Sequence, residues 1–301
     1  MKHYGLPYQG SKDKIALAIH EQLPTGKRFV DLFGGGFAMS HAALLIRGKY
    51  ERVLYNELNP LLCELIKKAI AGEYNYDTFR PEFITREKFH ELKDRDGYVR
   101  YIWSFGNTGT SYLFGEDVED IKHKGHDYVI FGKPIEGVDL PVLGNARMRR
   151  LALRRWAGER AEELVKKDPR LSKRQAEARY ELQQLERLER LQRLQQLQQL
   201  ERLQQLERLE IRCGDYRTYT HEDGDVVYCD PPYEGTAEYN KTGFDHKGFY
   251  DWVASRDYPV FFSSYKISDN RFKLVWAKQL RGLAGGANGA VYNFECLYTN
   301  G

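Results

Sequence analysis

The N-terminal part of the chain alternates between two hydrophobic rhythms. Residues 14–23 carry apolar side chains at helical spacing, and Arg28-Phe29-Val30-Asp31-Leu32-Phe33 is a short apolar run broken by Gly34-Gly35-Gly36. Residues 37–46 return to the helical period, Arg52-Val53-Leu54-Tyr55 reads as a strand, and residues 60–71 read as another helix. Strands separated by helices at this spacing predict a parallel sheet with helices on its faces. From residue 76 to 145 the alternation fails. Aromatics and glycines interleave with polar residues there, as in Tyr101-Ile102-Trp103-Ser104-Phe105-Gly106-Asn107, which predicts a separate loop-rich module. Residues 147–167 form a basic helix rich in Ala, Leu and Arg, with a stop at Asp168-Pro169. Strand-like runs return at 210–213, 225–229, 259–264 and 291–298, with a helix over 244–255. The expected fold is therefore α/β, one sheet split by a long insertion.

Between residues 182 and 209 leucine recurs at every third position, separated only by Gln, Glu and Arg. Three residues turn an α-helix by about 300°, so successive leucines circle the axis and no apolar stripe forms. The heptad of a coiled coil is absent. Every residue type present is a strong helix former, which favours α-helix or mixed helix, with a solenoid-like coil as the alternative. The tract is expected to be a low-complexity insert without a catalytic role.

The chain has 301 residues, 42% of them hydrophobic with 21 Tyr and 15 Phe, enough to bury a substantial core. No run approaches the ~20 apolar residues of a membrane span. Met1-Lys2-His3-Tyr4-Gly5 begins no apolar leader. Cys63, Cys213, Cys229 and Cys296 are scattered, which argues against zinc and disulfides and for a reducing cytoplasm. The net charge of +3 says little, but Arg147, Arg149, Arg150, Arg154 and Arg155 cluster. Such a cluster suits a phosphate backbone or, equally, a solvated helix face.

The most specific signal is Asp230-Pro231-Pro232-Tyr233, which ends the strand-like run Asp225-Val226-Val227-Tyr228-Cys229. The exocyclic amine of adenine is a poor nucleophile because its lone pair is delocalised into the ring. A carboxylate and the backbone carbonyl after it can each accept one amine hydrogen, drawing the nitrogen toward tetrahedral geometry. The prolines remove competing donors and fix the chain direction. Tyr233 offers a flat face for a base taken out of a duplex. A second constellation lies upstream. Asp31-Leu32-Phe33-Gly34-Gly35-Gly36 sits at a strand-to-helix passage, where glycines admit a ligand and a carboxylate can hold an ammonium group. The next strand ends at Asn56-Glu57, suited to ribose hydroxyls, and a third at Gly214-Asp215. All four features are expected at the carboxyl edge of one sheet.

In this order the motifs resemble the Dam-like DNA adenine-N6 methyltransferases: glycine motif first, target-recognition module in the middle, Asp-Pro-Pro-Tyr last. Pro7-Tyr8-Gln9-Gly10-Ser11-Lys12 resembles that family's opening element. The resemblance implies a Rossmann-like class I methyltransferase sheet with an inserted helical, loop-rich target-recognition domain. Residues 1–78 and 207–301 would form the catalytic domain, 79–145 the recognition module, and 146–206 the basic helix and leucine-triplet insert. It implies S-adenosyl-L-methionine as cofactor, lined by Tyr8, Lys12, Asp31, Phe33, Gly34, Gly36, Glu57, Asp215 and Asp230. Asp230, Pro231, Pro232 and Tyr233 would serve catalysis on double-stranded DNA, with no metal and a cytoplasmic, monomeric enzyme. Asn107, Tyr112, Arg149 and Arg150 are expected to meet the DNA. The chain departs from GATC-specific members: Ser104-Phe105-Gly106-Asn107-Thr108-Gly109-Thr110-Ser111-Tyr112 replaces their Asn-Arg-Tyr-Gly-type segment. That puts GATC specificity in doubt but not the chemistry. The alternatives are methylation of cytosine N4, an RNA adenine or a protein glutamine, and a catalytically silent DNA-binding relative. Asp230 in place of Ser or Asn favours adenine.

Overall fold

Strands buried on both faces should be apolar runs, and the short runs of the sequence take that place. The computed structural model describes residues 4–74, 78–167, 206–233, 243–281 and 292–301. Strands β1 (Gly26–Asp31), β2 (Tyr50–Glu57), β3 (Leu209–Cys213), β4 (Asp225–Cys229), β5 (Val260–Ser264), β6 (Lys273–Arg281) and β7 (Tyr292–Thr299) form one sheet in the order β3-β2-β1-β4-β5-β7-β6. The first five are mutually parallel, and β7 runs antiparallel between β5 and β6. Strand β6 was not foreseen. It is an edge strand with one partner, and lysines interrupt its apolar positions, so no strand period shows.

The described helices are α1 (Ala16–Gln22), α2 (Ala38–Leu45), α3 (Pro60–Ile70), α4 (Arg86–Leu92), α5 (Gly97–Ile102), α6 (Glu119–Phe131), α7 (Ala146–Lys167) and α8 (His246–Ala254). The chain divides into two units. One comprises Met1–Gly5, Gly10–Cys63 and Leu203–Gly301 and carries the whole sheet; the other comprises Leu6–Gln9 and Glu64–Arg202. Val30, Leu54, Val227, Phe249, Val253 and Phe262 belong to the core of the first. Chain order and spatial order reverse between β1 and β4, the place where open α/β sheets leave a crevice at their carboxyl ends.

The central unit contains more helix than its sequence predicted. Thr85 caps α4 by accepting from the Lys88 amide at 3.3 Å, and Asp96 caps α5 by accepting from Tyr98 and Val99. These side-chain caps mark short helices that hydrophobic periodicity alone cannot reveal. Helix α7 packs on α6, with Leu153 joining Tyr128, Val129 and Ile130. The leucine-triplet tract lies outside the described residues up to residue 205; Leu209 opens β3.

Candidate active site

Strand β1 ends at Asp31, and the Leu32 amide still donates to the Tyr228 carbonyl of β4 at 3.0 Å. The chain then enters the glycine turn. A Cβ on Gly34 would lie 2.2 Å from the Tyr55 ring, so only glycine lets the turn rest on that side chain. Its amide donates to the Asn56 carbonyl at 2.8 Å, and the Tyr55 hydroxyl donates to the Gly35 carbonyl at 2.8 Å. Phe37, at the entry to α2, is held at φ 70°, strain for a bulky residue of the kind that gathers at ligand sites. Glu57, ending β2, accepts from the amides of Gly35 at 3.0 Å and Asn59 at 2.9 Å. The glycine turn is thereby stapled to the neighbouring strand end.

Two buried oxygens at this edge lack hydrogen-bond partners among the described residues, Asp31 Oδ1 and Asn56 Oδ1. Asp31 Oδ2 accepts from the Ser40 hydroxyl at 2.7 Å. Burial pushes the Asp31 carboxyl up to about 7, against the Ser40 hydrogen bond and with help from Asp230 and Glu57. Burial raises Glu57 as well, partly offset by its backbone hydrogen bonds. A buried acceptor without a donor costs stability unless a ligand supplies one. Asn56 spends its amide on the carbonyls of Leu32 at 3.0 Å and Gly214 at 2.9 Å, tying the ends of β1, β2 and β3 together.

At the end of β4, the Lys12 ammonium lies 2.9 Å from Asp230 Oδ1, 3.6 Å from Glu295 Oε1 and 4.8 Å from the Tyr233 ring centroid. The Tyr233 hydroxyl is 3.1 Å from the same Asp230 oxygen and hydrogen-bonds Glu295. The Tyr233 ring is buried and meets Tyr265 edge-on at 4.8 Å. The Pro232 carbonyl faces His246 Nε2 at 2.9 Å, which fixes the tetrapeptide to the start of α8. Glu295 and His246 were missed by the sequence reading. An acid flanked by apolar residues in a strand was the available signal for Glu295; nothing marked His246.

The structure thus gathers Lys12, Asp31, Gly34, Gly36, Glu57, Asp230, Pro231, Pro232 and Tyr233 in one unit, at or next to the carboxyl ends of β1, β2 and β4. Phe33 is wedged among Tyr216, Phe244 and Phe249. Asp215, after β3, caps the following turn and pairs with Arg217 at 2.5 Å. Tyr8 belongs to the other unit, where its ring meets Tyr101 at 5.6 Å.

The residues expected at DNA are buried, and three of them have internal hydrogen bonds. Asn107 is buried and donates to the Tyr101 carbonyl at 2.7 Å; the buried Tyr112 donates to the Ile84 carbonyl at 2.6 Å. Arg149 is buried too, and its guanidinium donates to the carbonyls of Val129, Ile130 and Leu143. Those carbonyls lie at or beyond the C-terminal turn of α6, whose last groups have no intrahelical donors. The basic cluster therefore turns partly inward. Arg150, also from α7, is buried as well.

Among the described residues no helix is long and apolar enough to cross a membrane, and no group of side chains could hold a metal ion. No curated protein compared with the chain matches it significantly. The family model for the D12 class N6 adenine-specific DNA methyltransferases matches residues 8–122 and 177–270, spanning both the glycine turn and the Asp-Pro-Pro-Tyr segment. With more than half of its length covered, the chain belongs to the D12 class N6 adenine-specific DNA methyltransferases.

Proposed function

We propose that the enzyme transfers a methyl group from S-adenosyl-L-methionine to N6 of an adenine turned out of double-stranded DNA, with Asp230 as the group that orients the amine. The observation that carries this reading is the position of Asp230 one strand from Asp31, at the sheet's reversal point. The residues at this edge fit the cofactor: Asp31 Oδ1 lacks a donor that an ammonium group would supply, and Glu57 stands at the end of β2 where a ribose is held. When bound, the sulfonium supplies an already activated methyl group, so the protein chiefly positions the reactants.

Asp230 Oδ1 accepts from Lys12 and lies 3.1 Å from the Tyr233 hydroxyl, which leaves Oδ2 to accept one amine hydrogen. The Pro231 carbonyl accepts the other. The amine nitrogen is then pulled toward tetrahedral geometry with its lone pair aimed at the methyl. The base stacks on Tyr233, whose ring centroid lies 4.8 Å from the Lys12 ammonium. Unstacking the base costs a few kcal/mol. Asn107, Tyr112 and Arg149 act on recognition by holding the central unit in shape, and Arg150 takes part from the same helix.

The test is to incubate the full chain with duplex DNA and tritiated-methyl cofactor, digest to nucleosides and identify the labelled base. Label in N6-methyldeoxyadenosine is expected. Label in N4-methylcytosine, or on RNA alone, would overturn the reading.

A further inference from the structure

Glu295 is a carboxylate in an interior strand. β7 has a strand on each side, and residues 295–299 are all buried. An acid placed there is costly unless it is paired. Its partners are the two groups that also touch Asp230. The Tyr233 hydroxyl reaches both carboxylates, and the Lys12 ammonium lies 2.9 Å from one and 3.6 Å from the other. Lys12 and Tyr233 are thus bridges between Glu295 and Asp230.

We propose that Glu295 is a positioning residue for methyl transfer, holding Lys12 and Tyr233 so that both converge on Oδ1 of Asp230 and its other oxygen faces the target amine. This rests on the adenine-methylation reading above. Two effects combine. The first is geometric: without Glu295 the ammonium and the hydroxyl each lose one of the two carboxylates that hold them, and the Asp230 carboxylate is oriented less strictly. The second is electrostatic. One ammonium shared by two carboxylates neutralises each only in part, so Asp230 stays a strong acceptor for an N–H. Burial raises the Glu295 carboxyl and Asp230 pushes it the same way, while Lys12 and the Tyr233 hydroxyl oppose them.

The experiment compares wild type, Glu295→Gln and Glu295→Ala in single-turnover methylation of duplex DNA, with cofactor affinity by calorimetry and folding by thermal melt. Glu295→Gln keeps an acceptor for Tyr233 but not the charge, and its methylation rate should fall about 10-fold; Glu295→Ala should lose about 100-fold. Cofactor affinity should stay within about twofold in both, because the loss is in positioning and not in binding. In a Lys12→Met background, Glu295→Gln should cost less than it does alone, since its partner is gone. Wild-type rates in the Gln variant, or costs that simply add in the double variant, would overturn the proposal. If the Ala variant fails to fold, the Gln variant and the double variant still decide. Absence of adenine methylation by the wild type would instead sink the functional reading itself.

Discussion

At the amino end of β4 and beside it on β1, every charge has a partner. Arg28 meets Asp225 through two hydrogen bonds of 2.9 and 2.7 Å and reaches Glu222 at 2.9 Å, while Tyr219 donates to the same aspartate. Burial alone would raise Asp225, but the hydrogen bonds of Arg28 and Tyr219 bring it below its ordinary range. At the carboxyl ends of the same strands the arrangement is unfinished. Asp31 keeps an orphaned oxygen and is pushed up to about 7 chiefly by burial, and Asn56 has an orphaned oxygen beside it. The two ends share strands, burial and residue types, so hydrophobic packing does not distinguish them. Satisfaction of polar groups does. The saturated end fastens the sheet; the other end, among the described residues, keeps two buried acceptors without a donor.

Substitutions at the two ends should therefore separate activity from stability. Asp230→Ala is expected to lower the methylation rate by about 10³-fold with cofactor affinity and melting temperature nearly intact. Retained label transfer would remove Asp230 from the chemistry. Arg28→Ala should do the reverse, because it strands Asp225 with its charge buried. Such losses run at about 3–5 kcal/mol in denaturant unfolding, while the rate per folded molecule is unchanged. If Arg28→Ala lowered the rate and left stability alone, the contrast between the two ends would collapse.

Much of this was legible in the sequence because parallel strands announce themselves. β1, β2, β4 and β5 were found to within a few residues, since buried strands are apolar runs bounded by Gly, Pro and Asp. Asp31, Glu57, Asp215 and Asp230 were legible for the same reason: each lies at or just after the end of a strand. What stayed hidden depends on contacts that hydrophobic periodicity does not record, some of them local and some long-range. β6 is an edge strand whose lysines mask its period, and α4 and α5 are set by Thr85 and Asp96 caps. The cluster holding Arg149 suited a phosphate backbone or a solvated helix face equally, and its guanidinium donates to the carbonyls around the end of α6. Composition gives the charge of a helix and not the direction in which each arginine folds back.

Asp31 offers a pH-resolved view of the unsaturated end. Its carboxyl titrates near 3.8 when exposed and about 7 in the fold, so the folded state holds the proton over that interval. For an acid raised in this way, the contribution to stability is fully present below pH 3.8 and is lost as pH rises toward 7. Relative to Asp31→Asn, wild type should lose about 1.4 kcal/mol per pH unit across that window. An ammonium donated by the cofactor favours the ionised carboxylate, so cofactor affinity should be set by this same titration in wild type and not in Asp31→Asn. Parallel stability curves for the two proteins would show that the orphaned oxygen has no electrostatic cost.

The smallest effect is expected at Glu57, where the end of β2 is half finished. Both of its oxygens already accept backbone amides, from Gly35 and Asn59, yet a carboxylate has about four acceptor sites and can still take a ribose hydroxyl. Glu57→Gln puts an NH₂ group against one of those two amides, donor facing donor, and removes the charge. The glycine turn then loses its staple or the ribose loses its acceptor. Cofactor dissociation constants should rise about tenfold, equal to about 1.4 kcal/mol. Amide exchange at Gly35 distinguishes the causes: faster exchange without cofactor means the staple has opened, whereas unchanged exchange with weaker binding assigns the loss to the ribose contact. An unchanged dissociation constant would place Glu57 with Arg28 and Asp225, among the groups that only fasten the sheet, and would move the boundary between its two ends.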